Sequence, residues 1–307
     1  MIKKFVNHLV KWSKKRSLPG FRKIPIYDIL VFIIKEIKRY DLITRANSIA
    51  FSFFISLFPS LIALFTLVPF IKKYLFSLLG LEGNIQAALR NEIGIILPGV
   101  AGERLFTFIE DITQNPRIGL FSIGFFLALF FASNGMIAMI RGFQKDYSMT
   151  FKSRNGIIKR VMAIILTLEV GALVIGSSIL IVFGEYLYGL IGNTNIYFFL
   201  TLRWITVLIL FYFSIYLIFR RAAGFKTKPP FFTPGTLLST LMCLLSSLGF
   251  SFYINHFNRY NELYGSIGTI IILMLWIQLN ALFILIGFEL NASIAVNTDL
   301  KRIEIKN

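Results

Sequence analysis

Few side chains in this chain suit metal or nucleophile chemistry. Its 307 residues hold two histidines and one cysteine. His8 and His256 fall far apart, in segments that the hydropathy pattern places on opposite sides of a membrane, and no cluster has zinc-ligand spacing. A single cysteine, Cys243, excludes an intramolecular disulfide, and its apolar surroundings in sequence read as those of a small buried thiol. Acidic residues are scarce as well, 15 against 32 basic ones. A metal-dependent nuclease gathers several carboxylates or histidines around its ions, and those present are scattered. There is no glycine-rich phosphate loop with a lysine and no evident serine–histidine–acid set. No catalytic residue, metal or cofactor is therefore expected.

Charge of either sign is also low. Only 15% of residues are charged, where soluble domains average about a quarter. In its place stand 56% hydrophobic and 16% aromatic residues, with a mean hydropathy of +0.73. A membrane-crossing helix needs about 20 mostly apolar residues, and six stretches qualify: 46–71, 118–140, 161–183, 197–219, 234–255 and 266–288. The expected fold is all-α, a single integral membrane domain of six transmembrane helices over residues 1–307. The opening MIKKFVNHLVKW does not read as a secretory signal, because Asn7, His8 and Lys11 interrupt any apolar core.

The basic residues alternate loop by loop. Twenty-five of the 32 lie in residues 1–45, between the second and third spans, in 220–233 and in the tail. The other side has Lys72, Lys73, Arg90, Arg104, Arg117 and Arg259. This asymmetry places both termini in the cytoplasm. It also accounts for the net charge of +17, since cytoplasmic loops meet the anionic lipids of the inner leaflet. No aromatic-basic module accompanies the charge, so no nucleic-acid partner is expected. Residues 28–45 read as an amphipathic helix, with Lys35, Lys38, Arg39 and Arg45 on one arc and Leu30, Ile33, Ile37 and Tyr40 opposite. Such a helix lies on the membrane surface or packs on the bundle. The long first outer loop, 72–117, is expected to form a small helical cap, with one helix ending at Pro98-Gly99 and another over 101–112.

Three stretches carry a likeness to a known family. The first is ANSIAFSFFISLFP, ending in Pro59. The second is the basic loop FQKDYSMTFKSRNGIIKR. The third holds a tyrosine-glycine-x-x-glycine entrance (Tyr264, Gly265, Gly268), Trp276, and a closing GFELNAS with Gly287, Glu289, Asn291 and Ala292. In this order they resemble the YihY/BrkB family of bacterial inner-membrane proteins, once labelled ribonuclease BN, over nearly the whole chain from about residue 30. The chain departs from the family at Phe288, where the closing motif usually has alanine. The resemblance implies a six-helix inner-membrane bundle, for which transport or envelope roles have been proposed. The ribonuclease label finds no support in the residues.

Polar groups inside apolar spans are costly and face the bundle interior or water. Glu169 lies about 13 Å into span three by helical rise, the deepest acid of the chain. Arg203 in span four lies roughly 8 Å from it in depth, within reach of two long side chains or a bridging water. Such a pair is either a structural ion pair or a substrate or proton site. On span six, Gln278 and Glu289 share a face, while Trp276, Asn280, Gly287 and Asn291 form a second stripe. Two polar faces mark this helix as central. Glu289 falls near the inner membrane boundary, where Arg45 or Arg141 would pair with it, so Glu169 is the preferred candidate for a buried functional charge. Asn134-Gly135 is expected to loosen span two or to bond a neighbour, and Pro59 and Pro69 to bend span one.

The function expected from these features is transport or export of an amphipathic, lipid-like or anionic solute. The alternative is a non-transporting envelope protein whose polar groups only fasten helices.

Overall fold

In the computed structural model, the residues described are 10–39, 41–71, 107, 118–191, 196–256 and 259–304. The expected outer cap falls outside them apart from Thr107. The elements are α1 (Ile26–Arg39), α2 (Leu42–Ile71), α3 (Ile118–Ala132), α4 (Asn134–Gly142), α5 (Gly156–Ile191), α6 (Ile196–Arg221), α7 (Pro234–His256) and α8 (Arg259–Glu304). Among the described residues there is no named strand, and the only extended pairing is an antiparallel bridge between Phe151 and Phe225. Five segments are long and apolar enough to cross a membrane: Leu42–Leu61, Gly124–Gly142, Trp204–Arg221, Pro234–Tyr253 and Ile270–Glu304. The remaining expected span, 161–183, lies within α5. The chain is thus an all-helical, multi-pass membrane protein.

Packing divides the chain into two units, Met1–Phe54 with Gly135–Asn307, and Ile55–Asn134. The first unit has a core of Ala46 and Ile49 from α2, Met139 and Ile140 from α4, Leu166 from α5, Phe219 from α6, and Leu285 and Phe288 from α8. Phe288 is fully buried. It stacks on Phe143 with ring centroids 4.5 Å apart, meets Phe151 edge-on and lies against the tilted ring of Phe225. The large ring in place of the family's alanine is therefore absorbed by an aromatic cluster built from two loops.

Three boundaries differ from the sequence expectation. The amphipathic segment and span one are separate helices, not one helix through Arg45. The chain breaks at Asp41, whose φ is +33°. Asp41 accepts bonds from the Thr44 backbone N–H at 3.3 Å and the Thr44 hydroxyl at 2.6 Å, the cap expected of an aspartate before a helix. Arg45 consequently belongs to the first turn of α2, away from the basic arc of α1.

Span two is interrupted at Ser133, just ahead of Asn134-Gly135, and the Ser133 hydroxyl donates to the Phe130 carbonyl at 2.7 Å. By contrast, α2 runs unbroken past Pro59 and Pro69.

The third difference matters most. The last helix does not end near residue 288. With 46 residues, α8 is about 69 Å long, more than twice a bilayer core of ~30 Å. Beyond Glu289 it packs on the N-terminal segment, with Ile294 set among Phe21, Ile24 and Ile29. The Ser293 hydroxyl donates to the Ile29 carbonyl at 3.2 Å. Glu289 is therefore an interior residue of a continuing helix, not the exit of one.

The Asp41 cap has a testable pH dependence. The Thr44 hydroxyl and N–H hold the Asp41 carboxyl below its ordinary 3.8. A carboxylate depressed on folding adds stability above its unfolded pKa and loses it as pH falls through the folded value. Asp41→Asn keeps an acceptor but no charge. The melting difference between parent and variant should close as pH drops below about 4, and a gap constant from neutral to acid pH would contradict this assignment.

Candidate functional site

The two polar faces of α8 meet different neighbours. One stripe lies against α7, the most extensive helix pairing among the described residues. The Trp276 indole N–H donates to the Ser247 hydroxyl at 3.2 Å, and the Ser239 hydroxyl donates to the Phe283 carbonyl at 3.0 Å. Asn291 is used twice, accepting from the Gly235 N–H at 2.9 Å and donating to the Thr233 hydroxyl at 3.0 Å. Asn280 donates to the Trp276 carbonyl on its own helix at 2.8 Å, while its carbonyl receives the Cys243 thiol. At Gly287 and Gly235 the backbones approach so closely that an added Cβ on either meets the facing carbonyl. Small residues permit such approach between membrane helices, and amide side chains fasten it.

The opposite face turns toward α2. The Gln278 amide donates to Asn47 at 2.7 Å. Further along the face, Glu289 is held by two cations. The Arg45 guanidinium donates to Oε1 at 3.1 Å, and the Lys145 ammonium lies 2.8 Å from Oε2. Lys145 also lies 2.5 Å from Glu36 of α1, whose other oxygen accepts the Tyr147 hydroxyl at 3.0 Å. Two acids and two bases thus form one neutral network tying α1, the start of α2, the loop after α4, and α8. The side chains of Lys145, Glu289 and Glu36 are 0%, 1% and 3% exposed. Burying each ion costs several kcal/mol, which the pairing offsets, so such networks chiefly fix register or serve a switch. Arg141, the other arginine considered as a partner, lies exposed.

Glu169 is placed differently from the sequence expectation. Its carboxylate meets Arg221, at the end of α6, at 2.5 Å. The Glu169 side chain is 25% exposed against 1% for Glu289, so the order of burial is the reverse of the one inferred from depth. The reason is that α8 continues and is covered, whereas Glu169 lies on the rim where α5 meets the basic end of α6. The side chains of Arg203 and Tyr264, and the surroundings of Gly265 and Gly268, lie outside what the structure describes.

Sequence reasoning missed Glu36, Lys145 and Tyr147. One signal was available: Glu36 continues the 26, 29, 33 spacing of the packed isoleucines of α1, and an acid on an apolar stripe calls for a partner.

Beside the network, the loop between α4 and α5 meets the loop between α6 and α7. The Lys152 N–H donates to the Gly224 carbonyl at 2.8 Å and the Lys226 N–H to the Thr150 carbonyl at 2.9 Å. Gly224 has φ +74°, a conformation that a side chain disfavours. Arg154 donates to the last carbonyls of α6, Arg221 at 2.8 Å and Ala222 at 3.3 Å, and burial pushes its guanidinium below the usual arginine range. These loops border a half-open cavity of about 510 Å³. Lys145, Lys152, Arg154, Lys159 and Lys226 line it with one acid, Asp146. Neither Glu169, Gln278 nor Glu289 belongs to its lining. Among the described residues, no three His, Cys, Asp or Glu side chains gather as a metal site would require.

Comparison with known proteins agrees with this architecture. The chain is 30% identical over 262 residues to the ribonuclease-like protein YfkH of Bacillus subtilis (strain 168), covering 81% of this chain and 88% of that protein. It is 25% identical over 281 residues to a UPF0761 membrane protein of Pseudoalteromonas atlantica, covering 89% and 88%. With a UPF0761 membrane protein of Alteromonas mediterranea the identity is 22% over 283 residues, covering 90% and 91%. No solved structure matches. The profile of the family described as "Virulence factor BrkB" matches residues 33–306, and with that span matched this multi-pass membrane protein belongs to the BrkB family.

Proposed function

We propose that the chain is a transporter or exporter of an amphipathic, anionic or lipid-like solute in the bacterial inner membrane. It has six spans, the sixth supplied by α5, and both termini are cytoplasmic. The observation that carries this reading is the basic cavity of about 510 Å³ beside a buried, neutral charge network. The cavity offers an anion a place at the basic end. The network joins four segments through bonds that can exchange partners without leaving a net charge buried, which suits a gate. On its other face α1 exposes Leu30, Ile34 and Ile37 beside Lys35, Lys38 and Arg39, a surface fit for the anionic inner leaflet.

A second reading, a non-transporting envelope protein, draws support from the pairing of both Glu169 and Glu289 and from the close α7–α8 contact. Ribonuclease activity, to which the name of the ribonuclease-like protein YfkH alludes, draws no support from the residues of the cavity.

Reconstitution separates the two readings. Liposomes containing the parent chain should move an anionic lipid or amphiphile faster than empty liposomes, and Glu289→Gln should abolish the excess rate. A folded parent chain that moves no solute in a broad flux screen would sink the transport reading and leave the envelope one.

A further inference from the structure

We propose that the basic cavity is a binding site for a phosphate monoester, carried either by a membrane lipid or by a soluble molecule. This site deepens the transport reading and rests on it for the fate of the ligand, while binding itself is tested apart from flux. The charges around the cavity are unequal in their engagement. Lys145 is already held by Glu36 and Glu289, and Asp146 lies 3.9 Å from Arg39. Among the described residues, no carboxylate is ion-paired with Lys152, Lys159, Lys226 or Arg154. Besides Lys145, four cations without a carboxylate partner therefore line one half-open cavity.

Two features aim that charge. Arg154 is fixed by the carbonyls of Arg221 and Ala222 through one nitrogen, and a guanidinium has five N–H donors in a rigid fork. The cavity also lies at the N-terminus of α5, a helix of 36 residues, where Asn155 caps the Ile158 N–H at 2.8 Å. A helix N-terminus favours anions. A phosphate monoester has two charges and several strong acceptors, so it answers this set better than a carboxylate does. The lining also includes Phe143, Phe151, Ala222 and Ala223, and the volume is that of an ordinary small-ligand site. A phosphate fills part of it, leaving room for a glycerol- or sugar-sized group. A bounded, half-open cavity of this size holds one headgroup, whereas a nucleic-acid strand needs a basic track longer than these two loops provide.

The test uses the full-length chain. Inorganic phosphate is titrated onto protein in neutral detergent, at fixed ionic strength. In parallel, native mass spectrometry counts lipids retained from phosphatidylcholine vesicles made with and without phosphatidic acid. The variant Lys152→Gln/Lys226→Gln should weaken binding about tenfold or more. Lys35→Gln/Lys38→Gln removes the same charge from the exposed face of α1 and should leave binding unchanged. Both pairs are exposed, and matching melting curves with the parent verify folding. Saturable binding that depends on Lys152 and Lys226 establishes the site. Phosphatidic acid retained without binding of free phosphate assigns it to a lipid, and the converse assigns it to a soluble monoester. Equal losses from both lysine pairs, no saturable binding of either probe, or preferential capture of a single-stranded RNA oligomer at equal phosphate concentration would overturn the proposal. Binding without flux would leave the site standing and remove the transport reading alone.

Discussion

Glu289→Gln should melt on the order of 10 °C below the parent chain, although it changes one oxygen to an amide nitrogen. The carboxylate contacts both Arg45 and Lys145, at 3.1 and 2.8 Å. Without its charge, two buried or partly buried cations lose the same anionic partner at once, while Glu36 stays paired with Lys145. Removing one member of a buried ion pair costs about 3–5 kcal/mol, far above the worth of a surface pair, because an uncompensated charge stays behind. The loss should be recovered in part by Lys145→Met in the same chain, which returns the network to neutrality. A double-mutant cycle read by thermal unfolding checks this coupling. If Glu289→Gln melts with the parent, or if the two substitutions add without coupling, the network does not act as one unit.

Gly287→Ala is expected to be the other severe substitution. The added methyl would occupy the space of the Ser239 hydroxyl and the Gly235 carbonyl of the facing helix. The serine can rotate only by giving up its bond to Phe283, and the backbone carbonyl cannot rotate away. The helices must separate, weakening the Asn291–Gly235 bond as well. Overpacking of a core typically costs 1–3 kcal/mol, and with backbone as the obstacle ~3 kcal/mol is the better figure. Gly249→Ala supplies the control on α7, since a Cβ there meets nothing within 4 Å. It should be neutral or slightly stabilising, as alanine is favoured over glycine inside a helix. Equal melting of the two variants would show that the α7–α8 contact is not tight in the folded protein.

The two faces of α8 show how far a sequence can be read. Helical spacing alone separates Gln278 and Glu289 from Trp276, Asn280, Gly287 and Asn291, because the period of the α-helix is fixed. That one stripe holds α7 and the other meets α2 follows from the fold. Likewise the apolar runs and the skewed lysines and arginines declare a multi-pass membrane protein, since the bilayer sets helix length and the cost of charge.

What the sequence left open depended on contacts between distant segments. Arg45 was legible as a partner of Glu289 because both lie near the same end of their spans. Lys145, Glu36 and Tyr147 were not, because a loop and a peripheral helix come to that place only when α1 folds back onto the far end of α8. Depth along a helix suggested Glu169 as the most buried acid, yet burial is set by what covers a residue. Glu289 lies where the start of α2 and the loop after α4 bring Arg45 and Lys145 onto it, while Glu169 is left partly exposed beside Arg221. The cavity has the same origin. Its lysines come from two stretches more than sixty residues apart, brought around one space by the backbone bonds between Thr150–Lys152 and Gly224–Lys226 and by the bonds of Arg154 to the end of α6. Composition and periodicity determined the membrane, the helices and their polar faces, because these rest on local geometry and on the solvent. Tertiary structure decided which charges meet and which are left facing a cavity, because pairing depends on distances that no local pattern encodes.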